Sequence, residues 1–364
     1  MKTKNLAPRV TLSDVARRVG VAPSTVSYIL RRVEPHFSRY AKDTIARVQQ
    51  VAAEIGYAPS LLATSLRRRQ VPFFGVFFEF VRRGDAAPDG GQSIMMWQVC
   101  EGIANAARQD HRYPVVLTSP NPASGLPASA HELDLIVRSG LSGVIAAVHP
   151  ETWVNHVARW EEAGVPCISL FDAGSQDRPR WYVDLDNCAV GRSAWEYLYR
   201  HGHRRAICLH QSESSQAISD RMVAFSQAAG SACEQTRVEE LILTPEQVRQ
   251  ADAGQFQSCR LLIDALERGG ATAIFAADGG ASLIAYQVLN AHGRRVPGEC
   301  SIIGIDLPLW CSASGFVTQV TCSGTLIGQA AAKLLVERVN GESGEPRHTL
   351  VPPVLLERSS VGSV

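Results

Sequence analysis

The sequence predicts an α/β protein in three parts: a small all-helical head, a short connecting segment and a two-lobed α/β body. Three observations carry this expectation. Charge is split along the chain: residues 1–70 hold 13 basic and 4 acidic side chains, whereas residues 71–364 hold 23 and 31, so a head of net +9 precedes a body of net −8. Three short helical patterns, the first two separated by a glycine, fill residues 11–56. From Phe73 onward, short β-branched or aromatic runs alternate with helical stretches, the pattern of parallel sheets covered by helices. At 364 residues, 45% hydrophobic and 20% charged, the chain has room for two or three domains of ~100–200 residues and for a sizeable core.

The head reads TLSDVARRVGVAPSTVSYIL over residues 11–30. Thr11 is placed to cap a helix, with Asp14 at the capping-box position. Val15, Ala16 and Val19 form one apolar stripe, and Gly20 ends the helix where a positive φ is needed. Pro23 suits a first turn. The second helix is expected to bury Val26, Ile29 and Leu30 and to turn Ser24, Ser27, Tyr28 and Arg31 outward. Ala16, Gly20 and Val26 then supply the small contact, the corner and the plug of a helix-turn-helix. A third helix is written in KDTIARVQQVAAEIG, with Ile45, Val48, Ala52 and Ile55 on one face and Gly56 as its stop. A generic three-helix module for protein contacts has the same pattern. The basic charge and the exposed hydroxyls and arginine of the second helix favour duplex DNA as partner.

These segments, followed by IARVQQVAAEIGYAPSLLATSLRRR, resemble the head of the lactose-repressor (LacI/GalR) family of bacterial transcription regulators. The resemblance implies DNA contacts from Thr11, Pro23, Ser24, Thr25, Ser27, Tyr28, Arg31, Thr44, Tyr57, Ser60, Ala63 and Leu66. The chain departs from the family pattern at several positions. Tyr28 replaces an arginine, Ala22 a serine, Ser60 an asparagine and Thr64 an arginine. The stretch RRVEPHFSRY between the second and third helices is a few residues longer than usual. Residues at the start of a recognition helix read base edges, so these departures bear on which operator is read.

The segment YAPSLLATSLRRRQ (57–70) matches the family's hinge. There, a short helix forms on DNA beside its dimer mate, and a leucine from each chain wedges into the minor groove. Leu66 matches the wedge and Ala63 the small residue beside it. The stretch that matches the hinge helix itself, Leu61–Leu66, has six residues, far below the ~12–15 that an isolated helix needs, so it forms only against a partner surface. Arg67, Arg68 and Arg69 stand where phosphates are neutralised. A plain flexible linker with a basic tail is the competing reading. The expected boundaries are a head at 1–56, a hinge at 57–70 and a body at 71–364. Within the body, lobe 1 spans about 72–184 and 319–344, and lobe 2 about 187–314 and 346–360.

In the body, FFGVFF, PVVLT, GVIAAV, PCISL, RAICLH, ATAIFAA and SIIGI read as strands, and residues 80–92 and 119–129 as exposed loops. PCISLFD, VDLDNCAVG, HGHRRAI, DRMVAF, IFAAD and SIIGIDLP also resemble the family, whose effector domain has the two-lobed periplasmic-binding-protein fold. Asp172, Asp278 and Asp306 each follow a strand, where ligands bind in open α/β sheets. Arg221 begins a motif on a helix just past another strand. The resemblance implies that Phe171, Asp172, Arg221, Asp278 and Asp306 hold a small polar effector, because carboxylates and arginine grip paired hydroxyls well. Trp310 offers a further apolar wall. For each acid taken singly, the bland reading is a strand-end cap. Asp278-Gly279 stands where the family has Asn-Asp, which makes the pocket more anionic and disfavours phosphorylated effectors relative to a neutral sugar or polyol, or a cation.

The remaining features exclude classes of function. No apolar run is long enough for a bilayer and the N-terminus lacks an apolar signal core, so the expected location is the cytoplasm, with no membrane partner. The nine cysteines (Cys100, Cys167, Cys188, Cys208, Cys233, Cys259, Cys300, Cys311 and Cys322) are scattered and include no CxxC pair. They read as reduced and buried rather than as metal ligands or disulfides. No GxSxG, HExxH, GxxxxGKS or GxGxxG motif is present, and the histidines do not cluster at ligand spacing, so neither catalysis nor a cofactor or metal is expected. His201 and His203 read as structural. The expectation is a homodimeric, effector-controlled regulator, most simply a repressor, on a pseudo-palindromic double-stranded operator. The alternatives are a sugar-binding receptor or a cytosolic α/β enzyme with an idle DNA head.

Overall fold

The computed structural model describes residues 10–32, 34–58, 71–78, 90–118, 136–148, 157–171, 181–211, 216–258, 260–305, 307, 315–341 and 347–364. Two compact units emerge, residues 1–71 and 72–364.

The head is built of α1 (Leu12–Val19), α2 (Pro23–Arg31) and α3 (Lys42–Glu54). Thr11 opens α1, and its backbone N–H and hydroxyl both donate to the Asp14 carboxylate at 2.9 and 2.7 Å. That reciprocal closure, worth ~1 kcal/mol, satisfies donors the helix leaves orphaned. Gly20 takes the left-handed conformation at φ 79°, where a side chain would be strained. Val15, Ala16, Val19, Val26, Ile29, Val48 and Ala52 form the core, with Leu30, Phe37, Tyr40, Ile45 and Tyr57 packed against it.

The body contains two six-stranded sheets. The first consists of β1 (Phe73–Phe78), β2 (Tyr113–Thr118), β3 (Val144–Ala147), β4 (Cys167–Leu170), β5 (Tyr182–Leu185) and β11 (His348–Val351). Its order is β11-β5-β4-β3-β1-β2, all parallel. The second consists of β6 (Arg205–Gln211), β7 (Arg237–Leu243), β8 (Ala273–Ala276), β9 (Ser301–Gly304), β10 (Thr318–Thr321) and β12 (Val354–Leu356). Its order is β12-β10-β9-β8-β6-β7, parallel except for β12.

Both faces of each sheet are buried, as parallel sheets require. Along β1, Phe74, Val76 and Phe78 enter one cluster with α4 (Gly90–Gln109) and α11 (Gly324–Val339), while Phe77 enters another with Trp160 of α5 (Ala158–Glu162). Along β6, Ile207 and Leu209 face α9 (Leu261–Gly269) and α10 (Gly279–Ala291), with α8 (Pro245–Asp252) alongside. Ala206 and Cys208 face α6 (Asn187–Arg200) and α7 (Gln216–Ala232). The period of two sorts these residues to opposite faces.

Among the described residues the chain passes between sheets after β5, β10 and β11. β10 pairs with β9 in the second sheet and β11 with β5 in the first, whereas the sequence expectation puts 319–344 in lobe 1 and 346–360 in lobe 2. α11 packs on the first sheet and β12 pairs in the second. Both displaced strands have four residues and polar or mixed faces, TQVT and HTLV, so neither carries a pattern that chooses a sheet.

Candidate nucleic-acid interface and effector site

In the head, Pro23 and Ser24 stand exposed at the start of α2, and Thr25, Arg31 and Thr44 are half-buried. Arg17, Arg18, Arg32, Arg39, Lys42 and Arg47 of the head are also exposed. Thr11 is engaged in the α1 cap, and Tyr57 packs on the head core. Ser27 corrects the expectation of an outward side chain: it is only 7% exposed. Ser27 lies three residues before Leu30, and helical geometry sets that pair on one face, toward the core. Tyr28 is half-buried and its ring is stacked on His36, with centroids 4.4 Å apart and planes at 20°. Sequence reasoning missed His36. Ser60, Ala63 and Leu66 lie outside the described residues, as do Asp172 and Asp306 of the body.

The Asp14 carboxyl is held below its ordinary range by hydrogen bonds from the Thr11 hydroxyl and backbone, with Arg17 and Arg18 nearby adding to the effect. It therefore stays ionised at the positive end of α1.

In the body, Arg221 lies on α7. Its Nε donates to Asn187 Oδ1 at 2.8 Å and its Nη1 to the Ala277 carbonyl at 2.9 Å. Asn187 is buried at the start of α6, and its Nδ2 donates to the Leu185 carbonyl at 3.1 Å. Asp186 caps that helix through Ala189 N–H at 2.8 Å. The motif VDLDNCAVG thus resolves into a cap (Asp186), an arginine holder (Asn187) and a contact glycine (Gly191). A Cβ on Gly191 would lie 2.1 Å from the Arg221 carbonyl oxygen, so α6 and α7 touch backbone to backbone there. Behind them, Phe225 meets Trp195 edge-on at 5.4 Å and stacks on Phe275 at 4.7 Å.

Asp278 follows β8 and caps α10. One carboxylate oxygen accepts from Ala281 N–H at 2.7 Å, the other from Gln211 N–H at 3.0 Å. The cap reading weighed for each acid therefore applies here, and a ligand meets Asp278 already engaged on both oxygens. Arg221, Asn187, Asp278 and Gln211 meet at the carboxyl ends of β5, β6 and β8, where open α/β sheets bind ligands. Sequence reasoning missed Asn187 as the holder and Gln211 as the neighbour. The only available signal was the motif around Asn187.

Phe171 closes β4 at φ 65°, and its N–H donates to the Val183 carbonyl at 2.9 Å. A bulky residue in this region stores about 1–3 kcal/mol of strain, and such outliers concentrate at functional sites. Among the described residues, no hydrogen bond or ring contact joins Phe171 to the Arg221 group. A groove of about 440 Å³ between α6 and α7, lined by Arg192, Trp195, Tyr199 and Ala228, contains none of the expected effector residues.

His203 is buried between Thr272 Oγ1 at 2.8 Å and the Gly362 carbonyl at 3.1 Å, and His201 Nδ1 meets the Tyr197 carbonyl at 2.8 Å. Both histidines are structural. Among the described residues no cluster of three His, Cys, Asp or Glu side chains has a metal-binding arrangement. Among the same residues no helix is long and apolar enough to cross a membrane.

A helix-turn-helix head joined to a two-sheet body of the periplasmic-binding type defines a class of protein. Residues 11–60 match the family model for bacterial regulatory proteins of the lacI family, and residues 195–361 match the periplasmic binding protein-like domain. The head is thus a lacI-family DNA-binding domain and the body a periplasmic-binding-protein-like domain. It is 27% identical over 363 residues to the HTH-type transcriptional regulator CelR of Thermobifida fusca, covering 97% of this chain and 98% of that one. It is 26% identical to the HTH-type transcriptional regulator PtxS of Pseudomonas putida, covering 97% and 96%. The fold matches the lac repressor dimer bound to operator and the anti-inducer ONPF with a TM-score of 0.69 at 21% identity, covering 98% of this chain and all of that one. It matches a transcriptional regulator CelR–cellobiose complex with a TM-score of 0.58 at 24% identity, covering 97% and 100%.

Proposed function

We propose that this chain is a dimeric transcriptional repressor that reads a pseudo-palindromic operator with α2 and is controlled by a neutral sugar- or polyol-like effector. The observation that carries the effector half is Arg221, held by Asn187 and the Ala277 carbonyl at strand ends with its Nη2 uncommitted among the described residues. A guanidinium preset in this way donates to paired hydroxyls at little ordering cost. The CelR–cellobiose complex and a ribose-bound regulator of the same fold support a sugar-like ligand. Asp172, Asp306 and the Phe171 ring complete the proposed pocket, and Asp278 acts there chiefly by capping α10.

On the DNA side, Pro23, Ser24, Thr25, Tyr28 and Arg31 face the operator, with Thr11, Thr44 and Tyr57 near its phosphates. Residues 57–70 form the hinge, Ser60 and Ala63 approach the minor groove, and Leu66 is its wedge. The head ends at residue 56 and the body begins at 71. The protein works in the cytoplasm, beside its DNA, and is not an enzyme. An effector that favours one state of the body shifts the DNA-binding equilibrium by its differential affinity, and by no more.

The test is a salt titration of binding to operator-bearing and random duplexes by the full chain and by Leu66→Ala. Log affinity should fall steeply with log salt, by about 0.9 for each phosphate contact. Leu66→Ala should weaken operator binding far more than random binding. Equal losses remove the wedge, and a flat salt response removes DNA binding and leaves the receptor and enzyme readings.

A further inference from the structure

Two departures of this head from its family's pattern are one physical feature. Tyr28 stands on α2 where the family carries an arginine, and the stretch after α2 is longer. In the structure that longer stretch returns to α2 and lays His36 flat on the Tyr28 ring, centroids 4.4 Å apart and planes at 20°. The placement is anchored on both sides. Arg32 takes a left-handed conformation at φ 51° and its N–H donates to the carbonyls of Tyr28 and Ile29, which turns the chain sharply. Glu34 accepts from Ser38 N–H at 3.4 Å, and the Ser38 hydroxyl donates to the Pro35 carbonyl at 3.1 Å. Phe37 and Tyr40 pack on the head core. His36 therefore sits on a built turn, and its ring takes one face of Tyr28.

A tyrosine free at both faces samples several rotamers and meets a groove with any of them. A tyrosine stacked on one face is left a single presentation. We infer that His36 is a positioning residue for operator selection: it holds the Tyr28 ring in the orientation that discriminates bases, so residues outside the recognition helix set part of its specificity. This inference rests on the DNA-reading function proposed above.

The experiment selects duplexes from a randomised half-site library with the full-length protein, its His36→Ala, His36→Phe and Tyr28→Ala variants, and measures each variant's binding to random duplex. Tyr28→Ala should lose preference at one or two base pairs. His36→Ala should lose it at the same base pairs, by roughly 3- to 10-fold in enrichment, the scale of one aromatic pair. His36→Phe, which keeps a stacking ring, should retain the preference, and binding of the two His36 variants to random duplex should stay within about 2-fold of the unsubstituted protein. Wild-type preferences in His36→Ala overturn the inference. Lost preference in His36→Phe equally overturns it, because the imidazole itself would then be the reader. A uniform loss on all duplexes in His36→Ala overturns it in favour of a phosphate contact. If the wild-type protein enriches no sequence, DNA reading itself fails, and the inference with it.

Discussion

Arg221 and Asn187, 34 positions apart in the chain, are joined by a 2.8 Å hydrogen bond from the guanidinium Nε to the side-chain carbonyl. The first sits on α7, the second at the first turn of α6, and the pair spans the junction where the chain leaves the first sheet for the second. Arg221→Ala should abolish the effector response, read as ligand-induced change in operator affinity, and leave effector-free DNA binding intact. Asn187→Ala should weaken effector affinity by roughly 10- to 100-fold, the scale of a hydrogen bond to a charged group. The double variant should be no worse than Arg221→Ala, because the two act as one unit. Additive losses in effector titrations would separate them.

Gly191 and Gly230 offer opposite outcomes for the same substitution. A Cβ on Gly191 would lie 2.1 Å from the Arg221 carbonyl oxygen and 2.7 Å from Phe225 N, both backbone atoms. Gly191→Ala must push α6 from α7, at a cost of about 1–3 kcal/mol or more. Gly230 lies on α7 with nothing within 4 Å of an added Cβ. Gly230→Ala should stabilise by about 0.5–1 kcal/mol through helix propensity. Urea midpoints of the two variants should move in opposite directions.

Asp278 is expected to matter first for stability. Asp278→Ala removes the α10 cap and leaves the Gln211 N–H without its acceptor at a nearly buried residue. The two losses together amount to about 2 kcal/mol or more. A chemical-denaturation midpoint unchanged by Asp278→Ala would contradict this assignment.

Acid should loosen the body through His203. Burial pushes this imidazole below its ordinary value of 6.5, against the Gly362 carbonyl that favours the charged form, with His201 and Arg204 adding to the depression. The unfolded chain therefore takes up the proton first as pH falls. Stability is full above about pH 6.5, declines below it and levels off once the pH passes the folded-state value. His203→Gln should flatten this part of the profile of melting temperature against pH. An unchanged slope would assign the loss to other groups.

Thiol labelling should follow burial. Cys167, Cys208 and Cys300 are buried, and desolvation raises all three thiols, Cys300 to about 12. Cys188, next to Asn187, is exposed. Iodoacetamide at pH 8 should modify Cys188 in the folded protein and reach those three only after denaturation, read by peptide mass. Modification of Cys208 before unfolding would refute the packing of β6.

Much of the fold is legible in the residues because its signals are local. Thr11, Asp14, Gly20 and Pro23 announce helix ends within twenty positions. Seven apolar runs mark seven of the strands, since a strand buried on both faces is written as a continuous β-branched or aromatic run. Strands β5, β7, β10, β11 and β12 escaped the reading: RVEELIL, TQVT and HTLV mix polar and apolar residues at sheet edges or near them. Of the expected effector residues, Asp278 follows β8 and Arg221 lies on α7 with its guanidinium at the end of β8, but what occupies their polar atoms was not visible in the sequence.

The sequence by itself determined a basic helix-turn-helix, an alternating α/β body and its family, because caps, turns and hydrophobic periods need only neighbours a few positions away. The tertiary structure alone decided which sheets β10 and β11 join, that Asn187 and the Ala277 carbonyl hold Arg221, that Gln211 occupies half of Asp278, and that His36 covers Tyr28. The physical reason is that each of these is settled by a partner the local pattern does not name. For the side-chain hydrogen bonds of the body that partner lies 34 to 67 positions away, and only the folded chain brings it within hydrogen-bonding distance.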